Sequence, residues 1–158
     1  MPQPLGCILR GAAGVALLGA ALAAHAALGL PESSIAADGS AAALQPRQAQ
    51  QSGATGAVGV QRVVGPTGVR LTEYVSQGVV FAVAWSGAVM PDLSQLLAGA
   101  FPTLRDWLAA HPPALNQPIA MDTPQLVVRA GGHMRAFSGI AYLPALVPAG
   151  YPVNQIGN

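Results

Sequence analysis

The stretch Val69–Trp85, VRLTEYVSQGVVFAVAW, decides how the chain folds. Its first half alternates, with Val69, Leu71, Glu73 and Val75 on one side and Arg70, Thr72 and Tyr74 on the other. A period of two is that of a strand with one buried face, because successive side chains point in opposite directions. Ser76-Gln77-Gly78 interrupts the run with turn-forming residues. Val79–Trp85 then resumes it as a central, almost wholly apolar strand, with Phe81, Val83 and Trp85 expected on one face. Upstream, Val60–Val64 is another β-rich run, set off by the turn Gly65-Pro66-Thr67-Gly68. Strands joined by such short turns pair antiparallel, so the centre of the chain reads as a three-stranded meander.

Downstream the period changes. Leu93, Leu96, Leu97, Ala100, Phe101, Leu104, Trp107 and Leu108 keep helical spacing, preceded by Asp92 as N-cap with Gln95 completing a capping-box pattern. Pro102 interrupts this face, and Thr103 with Asp106 can recap a second segment, so one kinked helix or two short ones are expected, ending at His111-Pro112-Pro113. The stretch from there to Pro124 reads as a loop. Gln125–Tyr142 holds two β-runs flanking Gly131-Gly132, a hairpin turn or bulge. Pro144, Pro148 and Pro152 make the remainder an irregular covering segment. The expected fold is α+β: a small antiparallel sheet, made of the meander and a C-terminal hairpin, with one kinked helix packed on it.

The N-terminal part reads differently. Arg10 precedes the uncharged run Gly11–Ala24, which ends in Ala24-His25-Ala26. This is the order of a secretory signal peptide with an A-x-A cleavage site. The run is shorter than the roughly 20 apolar residues of a spanning helix, and no further membrane span is expected. The expected division is a signal peptide over residues 1–26, a flexible Ala/Ser/Gln/Gly-rich linker over 27–59, one α+β domain over 60–152 and a flexible tail over 153–158. The expected location is periplasmic or secreted.

Composition excludes several chemistries. Charged residues make up 8% of the 158, against about 25% in an ordinary globular chain. Cleavage after Ala26 removes Arg10 and with it the formal net charge of +1. A nucleic-acid binder shows a basic patch, and none is visible in the sequence. Cleavage also removes Cys7, the single cysteine, and so thiol catalysis, disulfides and Cys-based zinc sites. No metal site or cofactor is expected.

Arg129, Gly131, Gly132, His133 and Arg135 form the candidate ligand-binding group. Amides at a Gly-Gly turn, an imidazole and two guanidiniums suit a carboxylate or phosphate. A glycine turn with solvated side chains accounts for the same residues without a ligand. Were the hairpin tight at the glycines, Arg129 and Arg135 would lie on opposite faces. His133 with Asp92 or Asp122 is the candidate acid–base pair, but no G-x-S-x-G nucleophile motif accompanies it. Trp85, Phe81, Tyr74, Trp107 and Phe101 read as core before they read as a ligand groove. An edge strand with few charges can accept a partner's strand.

Several stretches together resemble a known bacterial family. They are Glu73-Tyr74-Val75, Gly78–Trp85, Pro91-Asp92-Leu93 with Leu96-Leu97, and Gly131-Gly132-His133-Met134-Arg135-Ala136-Phe137, with Ala141–Pro144 and Pro148-Ala149-Gly150 beyond them. The family is that of the exported domains catalogued as domain of unknown function 2844. The resemblance spans roughly Val69–Gly150 and implies a secreted domain; it carries no assigned activity. The expectation is a non-enzymatic accessory or binding domain that recognises a cell-envelope component or a protein partner. The alternative is a hydrolase or transferase with its site around His133 and Arg135.

Overall fold

The computed structural model describes residues 28–37, 48–50, 58–65, 67–114 and 117–158. The expected signal peptide lies outside the described residues, as does most of the expected linker. Seven strands form one antiparallel sheet in the order β1-β2-β3-β4-β7-β6-β5. They are β1 (Gln48–Gln50), β2 (Val58–Val64), β3 (Arg70–Ser76), β4 (Val79–Gly87), β5 (Ile119–Asp122), β6 (Val127–His133) and β7 (Ala136–Tyr142). The meander is β2-β3-β4, and the C-terminal hairpin joins it by pairing β7 with β4. The fold is α+β, a sheet packed against a helical segment, as its periodicities imply.

The helical segment is broken where Pro102 demands it. Helix α1 (Leu93–Leu97) is capped by Asp92, whose carboxylate accepts from the Ser94 N–H at 2.9 Å. A 3-10 turn over Ala98–Ala100 leads into α2 (Phe101–Ala110), where Pro102 sits in the first turn and its missing N–H costs nothing. Leu96, Leu97 and Leu104 are buried against one face of the sheet.

On this first face, pairing places Val63, Leu71, Trp85, Gly139 and Ala130 in one row across five strands. Large and small residues alternate so that Trp85 lies over Gly139. A Cβ at Gly139 would come within 2.6 Å of Cε2 of the indole and 2.8 Å of the Arg129 carbonyl oxygen. The adjacent row holds Gln61, Glu73, Val83, Ala141 and Val128, and Glu73 is fully buried within it.

Strand β4 departs from strict alternation. Tyr74 pairs with Ala82 but Val75 pairs with Val80, so Phe81 is an extra residue. This bulge puts Phe81 and Ala82 together on the second face, while Val83 and Trp85 point to the first. The expectation that Phe81 shares a face with Val83 and Trp85 is therefore corrected. A one-residue insertion reverses the side to which a side chain points.

Phe81 in turn organises the C-terminal segment. Its carbonyl accepts from the Leu143 N–H at 3.0 Å. Its ring meets Tyr151 edge-on at 5.5 Å, and Tyr74 lies 6.3 Å from Phe81 and 6.4 Å from Tyr151. The Tyr74 hydroxyl accepts from the Gly157 N–H at 2.9 Å and donates to the Gln155 carbonyl at 3.3 Å. Ile156 is buried in the same cluster. Residues 153–158, expected as a flexible tail, are thus packed on the sheet.

The other end of the chain differs from expectation in the same way. Leu28 and Ile35, placed by the sequence in a flexible linker, are buried in the first-face core. Gly29 donates to Val80 O at 2.8 Å, Glu32 donates to Gly78 O at 2.8 Å, and a 3-10 helix spans Glu32–Ala37. Two apolar residues suffice because the sheet is there to receive them. Residues 38–47 and 51–57 of that linker lie outside the described residues. Strand β5 was also unexpected. Its four residues fall between Pro118 and Pro124, where local propensity favours a loop.

The packing of both faces can be tested by substitution. Gly139→Ala forces the indole or β7 to move and destabilises by about 1–3 kcal/mol, read as a lower urea midpoint. The Tyr151 hydroxyl is buried without a hydrogen-bond partner among the described residues. Burial, with the neighbouring Tyr74 phenol, pushes its pKa up from 10.0 to about 12. The native state therefore holds this proton longer than the unfolded chain, so the contribution is complete below pH 10 and lost as pH rises towards 12. Tyr151→Phe is expected to be as stable as the wild type or up to about 1 kcal/mol more so at neutral pH. It should also show a shallower loss of Tm between pH 10 and 12; an unchanged alkaline slope would refute the assignment.

Candidate functional site

Among the described residues, the second face of the sheet is covered only in part. Across one row run Arg62, Thr72, Ala84, Ile140 and Arg129, contributed by β2, β3, β4, β7 and β6. The next row holds Val64, Arg70, Ser86, Ser138 and Gly131. Ile156, Gly157 and Asn158 of the C-terminal segment border these rows, and together they enclose a depression of about 560 Å³. Alternation explains the composition: the residues between these, such as Leu71, Trp85 and Ala130, supply the first-face core.

Three of the seven arginines of the chain line this one depression. Arg62 and Arg70 stand near one end, on adjacent strands. Arg129 stands at the other, four strand spacings from Arg62, or about 19 Å between backbones. Between them lie the hydroxyls of Thr72, Ser86 and Ser138 and a small apolar floor of Ala84 and Ile140. Arg129 also reaches Asp122 of β5 at 3.4 Å, an exposed pair that contributes little to stability. The surface suits an extended anion, since an exposed guanidinium such as that of Arg70 presents a planar fork of N–H donors to a carboxylate or phosphate.

The residues singled out from the sequence separate into two groups. Arg129 and Gly131 line the depression; Gly132, His133 and Arg135 do not. The reason is the position of the turn. Gly131-Gly132 belongs to β6, and His133 pairs with Ala136, so the hairpin turns at Met134-Arg135. Gly132 is needed for close approach and not for the turn. Its φ is +141°, and a Cβ there would lie 2.7 Å from the Phe137 Cα. Arg135 adopts φ +69° at the tip, beside Met134, which is 89% exposed.

His133 is exposed at the tip end of β6. Asp122 lies opposite Val127 at the other end of that strand, six residues or about 20 Å away. Asp92 is engaged as the cap of α1. The structure thus separates His133 from Asp122 and uses Asp92 as a helix cap. No cluster of three or more His, Cys, Asp or Glu residues able to hold a metal occurs among the described residues. No helix among them is long and apolar enough to cross a membrane.

Neither Arg62 nor Arg70 stands out as a site residue in the sequence. Alternation puts Arg70 on the face with Thr72 and Tyr74, and that polar side is the one available signal. Arg62 joins it only through the β2–β3 register, and Arg129 only because β7 inserts between β4 and β6.

Residues 24–156 match the model of a family described as protein of unknown function (DUF2844). The chain belongs to that family. Comparison with curated proteins gave no match, and comparison with solved structures gave none.

Arg135 offers a direct check on the turn. A non-glycine residue in the left-handed region costs about 1 kcal/mol, so Arg135→Gly is expected to raise stability by about that amount in urea unfolding. A drop in stability would show that its side chain, and not the turn, governs this position.

Proposed function

We propose that this chain is an exported, non-enzymatic binding domain that attaches to a component of the cell envelope through the open half of its second sheet face. The observation that carries the reading is the gathering of Arg62, Arg70 and Arg129 around one depression in a chain of which only 8% is charged. Export rests on the leader, its apolar run and the Ala24-His25-Ala26 site. The family match begins at residue 24 and so sets most of the leader apart. A binding role is supported by what surrounds the arginines: hydroxyls and small apolar groups that orient a ligand.

The test is co-sedimentation of the purified protein with bacterial envelope fragments at low salt. The wild type should be retained and released as salt rises. The double variant Arg70→Ser, Arg129→Ser alters two exposed side chains and should be retained about tenfold or more weakly, with unchanged circular dichroism. Retention of that variant at wild-type strength refutes the proposal. Loss of retention in His133→Ala alone would move the site to the hairpin tip and also refute it.

A further inference from the structure

Resting on the reading of this face as a binding surface, we infer that its ligand is an anionic glycan: a sugar chain carrying carboxylate or phosphate groups and lying across the strands. Length is the first argument. Arg70 and Arg129 are separated by three strand spacings, about 14 Å, so a single small anion engages one end of the site only. An occupant that uses both ends must be elongated and anionic at more than one point.

The chemistry between the ends selects the class. A peptide on a sheet face cannot pair its backbone, because the N–H and C=O groups of β2, β3, β4, β7 and β6 are committed to the ladders. Peptides recover those bonds at a sheet edge, and leaving them unmade on a face is costly. Ser86 and Ser138 lie directly opposite each other in the middle of the site, with Thr72 one row away. Hydroxyls donate and accept, and so match the hydroxyls of a sugar.

A nucleic acid strand would need rings to stack on, and these two rows contain none. The Trp85 indole is directed to the opposite face, over Gly139. A lipid chain would need an enclosed apolar cavity, whereas this floor is the small strip of Ala84 and Ile140 on the sheet surface.

Calorimetric titration of the full-length protein tests this at low salt. The probes are galacturonic acid, an oligogalacturonate, a phosphorylated monosaccharide, a phosphorylated oligosaccharide, a neutral malto-oligosaccharide and an oligoglutamate, the oligomers matched in length. At least one charged oligosaccharide should bind about tenfold or more tightly than the neutral one, each charged contact being worth a factor of that order. Which one does so identifies carboxylate or phosphate as the anion. Its advantage over the matching monomer, galacturonic acid or the phosphorylated monosaccharide, arises from linking the two ends and should vanish in Arg129→Gln, whereas Arg70→Gln weakens both. Equal binding of the neutral chain, equal or tighter binding of oligoglutamate, or an Arg129→Gln variant that keeps the length advantage overturns the inference. If no glycan binds while envelope retention still depends on Arg70 and Arg129, the glycan fails and the binding face stands. If retention is also indifferent to both arginines, both readings fail.

Discussion

The architecture depends on one extra residue in β4. Strict alternation would have sent Phe81 under the helices with Val83 and Trp85. The bulge instead turns its ring to the second face, where it meets Tyr74 and Tyr151. Burying such a ring contributes about 2–3 kcal/mol, and here it also creates the point at which the C-terminal segment docks. Tyr74 secures that segment with two hydrogen bonds near its end. The segment then covers one half of the face and stops beside the other. Without the bulge, the border formed by Ile156–Asn158 would have nothing to rest on, and the depression would lose one of its sides.

The two faces consequently carry different loads. The first is closed by α1, α2 and the segment that carries Leu28 and Ile35, and its packing is tight enough that Trp85 requires Gly139 opposite it. Among the described residues, the second is closed only where the aromatic cluster lies. Its open half concentrates positive charge in a chain otherwise poor in charge. At physiological salt the screening length is about 8 Å, shorter than the distance between the two ends of the site. Arg70 and Arg129, three strand spacings apart, therefore act as separate contacts and not as one diffuse field. A ligand that links them is selected by its length as much as by its charge.

Much of the fold was legible in the local pattern. The meander, the break at Pro102 and the cap at Asp92 each arise from a period or a residue type that acts within a few positions. The β6–β7 turn was displaced because Gly131-Gly132 is the stronger turn signal, although the chain reverses at Met134-Arg135. There, close approach to Phe137 uses up the freedom of Gly132. Strand β5 was hidden by its prolines and shortness. Leu28, Ile35, Tyr151 and Ile156 are too sparse to announce ordered segments, since each is stabilised by a surface that exists only once the sheet has formed.

The candidate site divides along the same line. The sequence by itself determined that Arg70 and Thr72 share a side, that Arg129 lies in a β-run, and that little else in the chain is charged. Period and composition are local properties. Only the tertiary structure decided that Arg62, Arg70 and Arg129 border one depression, with Ser86 facing Ser138 between them. Their alignment is set by register between strands distant in the chain, and that register is chosen by packing on the opposite face, where Trp85 must meet Gly139.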